Sequence, residues 1–164
     1  MPEPEANPVR VYTPTFEDCP NEAVETRNLT RGGQVALWSL RRWLLARRRG
    51  EKVDQALAEM FRLAGCPEAT SMVDEFISLL NHVALRPVEI RCTCARTLSA
   101  DELLMLRVLR YIQRGEGSEA KARIARLLPG ALGPAFCRIA GLFVHSLQRR
   151  NISLDRLTQL RVVA

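Results

Sequence analysis

The sequence predicts an all-α fold: a single-domain helical bundle of about six or seven helices, with an extended N-terminal arm and one short extended segment. Three observations predict it. Hydrophobic residues make up 47% of the 164 residues, enough for a core at this length, while only 5% are aromatic. Leu and Ala supply most of the apolar surface, which favours helix over sheet. Apolar residues recur at three- and four-residue spacing through successive segments, with Gly and Pro between them.

Residues 1–29 form the arm. Pro2, Pro4, Pro8, Pro14 and Pro20 forbid regular helix there, and Val9, Val11, Tyr12 and Phe16 are available to dock on the body. The bundle domain spans 30–164. Its first helix is expected over Arg31–Arg49, stopped by Gly50. A second runs from about Glu51 to Ala64, with Val53, Ala56, Leu57, Met60 and Ala64 in helical register and Gly65 as its end. Pro67 suits the first position of a third helix, where Ala69, Met72, Val73, Phe76, Leu80 and Val83 make one apolar stripe and Pro87 marks the limit.

"VEIRCTC", from Val88, reads as the only plausible strand. Ser99 and Glu102 then make a capping-box pattern for a fourth helix to about Arg114. Leu103 to Leu106, Val108, Leu109, Tyr111 and Ile112 surround almost all of that helix, which predicts a central position. Ser118 should cap a short fifth helix to Leu128. A sixth, from about Pro134 to Arg150, is apolar along most of its surface. Ser153 can cap a last short helix carrying Leu154, Leu157 and Leu160.

Net charge is +6 and unevenly spread: residues 1–30 carry −4, so the remainder carries +10. A basic body with an acidic arm fits an acidic protein partner or a nucleic acid. Five cysteines make no dense disulfide framework. The N-terminus lacks the basic start and apolar run of a signal peptide, and no uninterrupted apolar run is long enough to span a membrane. Those features predict a cytoplasmic protein with free thiols.

The first helix carries the most informative surface. Ala36, Leu37, Leu40, Trp43 and Leu44 share a broad core face. Trp38 and Leu45 lie one heptad apart on another side, with Arg41 and Arg48 along one edge and Arg42 and Arg49 along the other. An apolar strip rimmed by guanidinium groups suits an acidic helix, a phosphate-bearing ligand, an anionic membrane, a second copy of the chain, or the acidic arm itself. The partner-binding set is therefore Trp38, Arg41, Arg42, Leu45, Arg48 and Arg49, and the expected assembly is a homodimer.

Other constellations are sparser. Arg138, His145 and Arg149 fall on one line of the sixth helix, which reads as a solvated edge or a weak anion contact. Cys92 and Cys94 would share one side of an extended segment. They could join His82, Cys66, Cys19 or Cys137 around zinc, but no second paired-cysteine unit exists, so the thiols are expected to fill a gap in the bundle and no metal or other cofactor is predicted. No nucleophile–base pair or phosphate loop is visible, so the expected class is a non-catalytic interaction or regulatory module. A nucleic-acid-binding protein using these arginines with Arg107, Arg110 and Arg114 is the alternative, and a Cys/His metal protein the second.

Leu98–Leu128, with Leu98, Ser99, Glu102, Leu106, Gly115, Ile124, Ala125 and Leu128 in place, resembles the first two helices of a response-regulator-type helix-turn-helix. The next segment departs from that pattern: "PAFCRIAGLFVHSL" is mostly apolar, where a DNA-reading helix needs polar side chains. More of the chain, through Arg86, Pro87, Cys94, Leu98, Ser99, Asp101 and Glu102, resembles an all-helical bacterial family without an assigned activity. That resemblance implies a helical fold and a helix start at Ser99.

Overall fold

A computed structural model describes residues 24–154. The arm residues before Val24, and the expected last helix beyond Leu154, lie outside the described residues. Within them the chain is helical: α1 (Arg31–Arg49), α2 (Val53–Leu63), α3 (Ala69–Val83), α4 (Ala100–Gln113), α5 (Gly117–Ile124) and α6 (Gly133–Gln148).

Local chemistry sets the helix ends. The Thr30 hydroxyl accepts the Gly33 N–H at 3.2 Å and starts α1, and Gly50, at φ +66°, ends it. At α4 the Ser99 hydroxyl accepts the Glu102 N–H while the Glu102 carboxylate accepts the Ser99 N–H, the full reciprocal box. The α5 start differs from expectation. Glu116 precedes the helix without a side-chain cap, and Ser118 lies one residue inside it, because Gly115 at φ +77° already turns the chain.

The core follows the predicted stripes. All five core-face residues of α1 are buried, and α4 buries Leu104, Met105, Leu106, Val108 and Leu109 between its neighbours. α6 packs along α3 and α4. Four phenylalanines join α2, α3 and α6: Phe61 meets Phe143 edge-on with centroids 6.0 Å apart, Phe76 meets Phe136 edge-on at 5.9 Å, and Phe76 and Phe143 lie 5.6 Å apart. By length and composition alone, Gly130–Gln148 could cross a membrane. Here its Phe136, Ala140, Phe143, Val144 and Leu147 face the protein interior.

The "VEIRCTC" segment forms no strand. The only bridge among the described residues pairs Glu25 with Thr97. Instead of a neighbouring strand, two carboxylates at the start of α4 hold this segment. Asp101 accepts both terminal nitrogens of Arg86, at 2.8 and 2.7 Å, and the Glu89 N–H at 2.8 Å. Glu102 accepts the Arg91 N–H at 2.9 Å. Side chains thus satisfy backbone groups that a sheet ladder would otherwise have taken.

Residues 24–29 belong to the packed body rather than to a free arm. The Leu98 N–H donates to the Val24 carbonyl at 2.9 Å, the Thr26 N–H donates to the Arg96 carbonyl at 2.8 Å, and Leu29 is buried. At the far end Gln113 ties down Ile152 and Leu154, and the Ser153 carbonyl presses on the start of α1 beside Gly32.

Candidate interaction surface around the first helix

Arg41 is the main departure from the expected surface. Its spacing from Trp38 suggests the edge of the strip, but only 4% of it is exposed. Its Nε and one terminal nitrogen donate to the two oxygens of Glu102 at 2.8 and 2.9 Å, and the terminal nitrogens also reach the Ala95 and Thr97 carbonyls at 2.7 and 2.9 Å. Glu102 is fully buried. The physical reason is paired desolvation: an arginine enters a core when a carboxylate and carbonyls accept its donors. The sequence held the signal, since Arg41 is four residues after Leu37 and three before Leu44, on the buried face.

The rest of the strip stays at the surface. Trp38, Arg42 and Leu45 are half-buried, and Arg48 and Arg49 are exposed. Arg31 and Gln34 extend this face towards the helix start and are also exposed. Arg42 bonds Glu51 at 2.7 Å, and Arg49 lies 3.8 Å from the same carboxylate. The α1 C-terminus thus presents Arg47, Arg48 and Arg49 against a single local acid, in the position where the helix dipole favours cations. Arg47 lies over the Trp43 ring, 5.6 Å from its centroid.

Two recesses flank α1. The larger, about 380 Å³, is mainly apolar. It lies between α1, α3 and the Ala84–Ile90 stretch, against Leu40, Trp43, Leu44, Leu80, Val88 and Ile90. Two of its polar neighbours are already engaged: the Trp43 N–H donates to Asp74 at 2.7 Å and Arg86 is held by Asp101. His82 stands at this cleft, exposed, with Nδ1 2.6 Å from the Ser78 carbonyl.

The smaller recess, about 280 Å³, opens beside Trp38 and is bordered by Thr26, Gln34, Leu37, Arg41, Thr93 and Ala95. The Trp38 indole N–H finds no hydrogen-bond acceptor among the described residues.

Cys92 and Cys94 do not fill a gap in the bundle. Both are exposed, on a turn closed by the Ala95 N–H donating to the Cys92 carbonyl at 3.0 Å. Extended backbone would have placed them side by side on a buried face, but the turn leaves both exposed, next in sequence to the Ala95 carbonyl that Arg41 holds. The two thiols act on each other's ionisation. The Cys94 thiol, helped by the Cys94 and Ala95 backbone N–H groups and the Arg41 charge, holds Cys92 below the ordinary thiol value. The Cys92 thiol and its charge push Cys94 up. Burial pushes up both Cys66 and Cys137.

The structure does not bring the expected metal candidates together. His82 borders the larger cleft while Cys92 and Cys94 sit beside the smaller recess, and no group of three or more His, Cys, Asp or Glu residues able to hold a metal exists among the described residues. On α6, Arg138, His145 and Arg149 are all exposed, in line with Leu142, which is 51% exposed. No protein-family profile, curated protein or solved structure matches the chain.

Proposed function

We propose that this protein is a non-catalytic interaction module of a reducing compartment. Its docking face is the outer stripe of α1, and its partner is an acidic protein segment carrying an aromatic anchor. The observation that carries this reading is Trp38. It is a half-buried aromatic at the mouth of a recess, with no acceptor for its N–H among the described residues, on a helix that exposes Arg47, Arg48 and Arg49. Interfaces concentrate their binding energy on aromatic anchors in recesses rimmed by arginine. Arg41 contributes to the wall of the recess rather than to its charge, because Glu102 neutralises it.

The chain carries a sequence of the required chemistry. Residues 9–23 contain Tyr12 and Phe16 beside Glu17, Asp18 and Glu22. Supplied by a second copy, such a segment would make a homodimer by arm exchange. The test is calorimetric titration of a synthetic peptide of residues 9–23 into a chain starting at residue 24, a cut that spares the packed Val24–Leu29 stretch. Saturable binding that weakens with salt and is lost in Trp38→Ala supports the reading. No binding at low salt, or binding indifferent to Trp38, sinks it.

A nucleic-acid reading has one observation in its favour. Arg107 on α4, Lys121 on α5 and Arg126 just after it are exposed, and Arg123 stacks over Tyr111 at 4.9 Å in the same region. A steep fall of DNA or RNA affinity with salt, unaffected by Trp38→Ala, would favour it.

A further inference from the structure

The geometry points to the Cys92-Thr93-Cys94 turn as a redox-active dithiol that exchanges with low-molecular-weight disulfides, with Cys92 as the attacking thiol and Cys94 as the resolving one. This inference is independent of the docking reading.

Three observations carry it. Both thiols are exposed, so an incoming disulfide can reach them, whereas Cys66 is buried and Cys137 half-buried. The turn that the Ala95 N–H closes on the Cys92 carbonyl at 3.0 Å bends the backbone from Cys92 to Cys94. Two 3.8 Å Cα–Cα steps with a bend between them fall within the roughly 4.4–6.8 Å that a disulfide spans. The two thiols are also unequal: their surroundings hold Cys92 below the ordinary thiol value and push Cys94 above it. A thiol so lowered reaches its reactive anionic form more readily, and its neighbour is left protonated until needed.

The exchange balances as follows. The Cys92 thiolate attacks one sulfur of the disulfide, forming a mixed disulfide and expelling one thiolate, which takes a proton from water. Cys94 then loses its proton to solvent and attacks the Cys92 sulfur. The Cys92–Cys94 bond forms, the mixed disulfide breaks, and the second thiolate leaves. The dithiol has lost two electrons and the small disulfide has become two thiols. Thr93, between the two cysteines, borders the recess beside Trp38, so the ring closes at that wall.

The test uses the full chain with all its cysteines, exposed to oxidised glutathione at neutral pH, quenched by alkylation and mapped by mass spectrometry after trypsin. The peptide from Cys92 to Arg96 should lose two hydrogens and escape alkylation, while Cys66 stays reduced. In Cys94→Ser, Cys92 should retain glutathione as a stable adduct. In the parent chain under limiting iodoacetamide, Cys92 should be alkylated about tenfold faster than Cys94, and urea should abolish that difference. The inference is overturned if no cyclised peptide forms, if the two thiols of the parent chain are alkylated at equal rates, or if the asymmetry persists in urea.

Discussion

Arg41 and Glu102, 61 positions apart, form a two-pronged ion pair with side chains only 3% and 0% exposed. This pair joins three parts of the molecule. Arg41 brings α1, Glu102 brings α4, and the Ala95 and Thr97 carbonyls bring the irregular segment between α3 and α4. Glu102 also accepts the Ser99 and Arg91 N–H groups, so the residue that caps α4 also anchors that segment.

Removing one member should therefore be strongly destabilising. Glu102→Ala leaves a buried guanidinium uncompensated and two N–H groups without acceptors, and should destabilise the fold by about 3–5 kcal/mol. An apolar double replacement, Arg41→Met with Glu102→Leu, should not recover the loss. Such replacements succeed when the pair serves only itself, whereas here two carbonyls and two N–H groups would be orphaned. Urea unfolding midpoints of the single and double variants check both statements.

Gly32 shows a different constraint. A Cβ there would lie 2.3 Å from the Ser153 carbonyl oxygen, which is backbone and cannot rotate away. Gly32→Ala should cost about 1–3 kcal/mol by forcing apart the start of α1 and the Ile152–Leu154 segment. Gly117, at the first position of α5 with open space around it, is the control. Gly117→Ala should be neutral or stabilise by up to about 1 kcal/mol. Thermal melts of the two variants give the comparison.

These two cases divide what the sequence could reveal from what it could not. The end of α1 and the capping box at Ser99 are legible because Gly50, Ser99 and Glu102 act within one turn of the element that they terminate. The apolar stripes of α1 and α3 were legible because burial follows their periodicity. Phe61 is absent from the expected stripe of α2, although it lies four residues after the buried Leu57. The Cys92–Cys94 turn reads as strand because a β-branched residue between two small apolar ones suits extended backbone. What overrides that local preference is non-local: Asp101, Glu102 and Arg41 hold the backbone on both sides of it. Arg41 itself carries a periodic signal for burial, but its charge points outward, and the acid that draws it into the core lies in a helix far along the chain.

The thiol pair makes a prediction about pH. Because the Cys94 thiol is the main cause that lowers Cys92, the alkylation rate of Cys92 should reach half its maximum below the pH of an ordinary exposed thiol, and that of Cys94 above it. Cys94→Ser should shift the Cys92 profile upward in pH, towards the ordinary value. Iodoacetamide rates at each site across the neutral-to-alkaline range, followed by peptide mapping, check the sign.

Charge reversal along α1 should separate surface from interior. Arg48→Glu removes an exposed cation and should weaken capture of the acidic peptide while leaving stability within about 0.5 kcal/mol of the parent. Arg41→Glu sets two carboxylates against each other in the core and should abolish folding altogether. Circular dichroism, followed by peptide titration of the folded variant, gives both results.

The two indole N–H resonances offer the most direct measurement, since the chain has two tryptophans and each marks a different recess. On adding the peptide of residues 9–23 to the ¹⁵N-labelled chain starting at residue 24, the Trp38 indole signal and the amides of Arg42 and Leu45 should move together and saturate. Trp43, bonded to Asp74, should hold its position. A shift of Trp43 alone, or changes confined to α4 and α5 around Tyr111, would contradict docking on the outer stripe of α1.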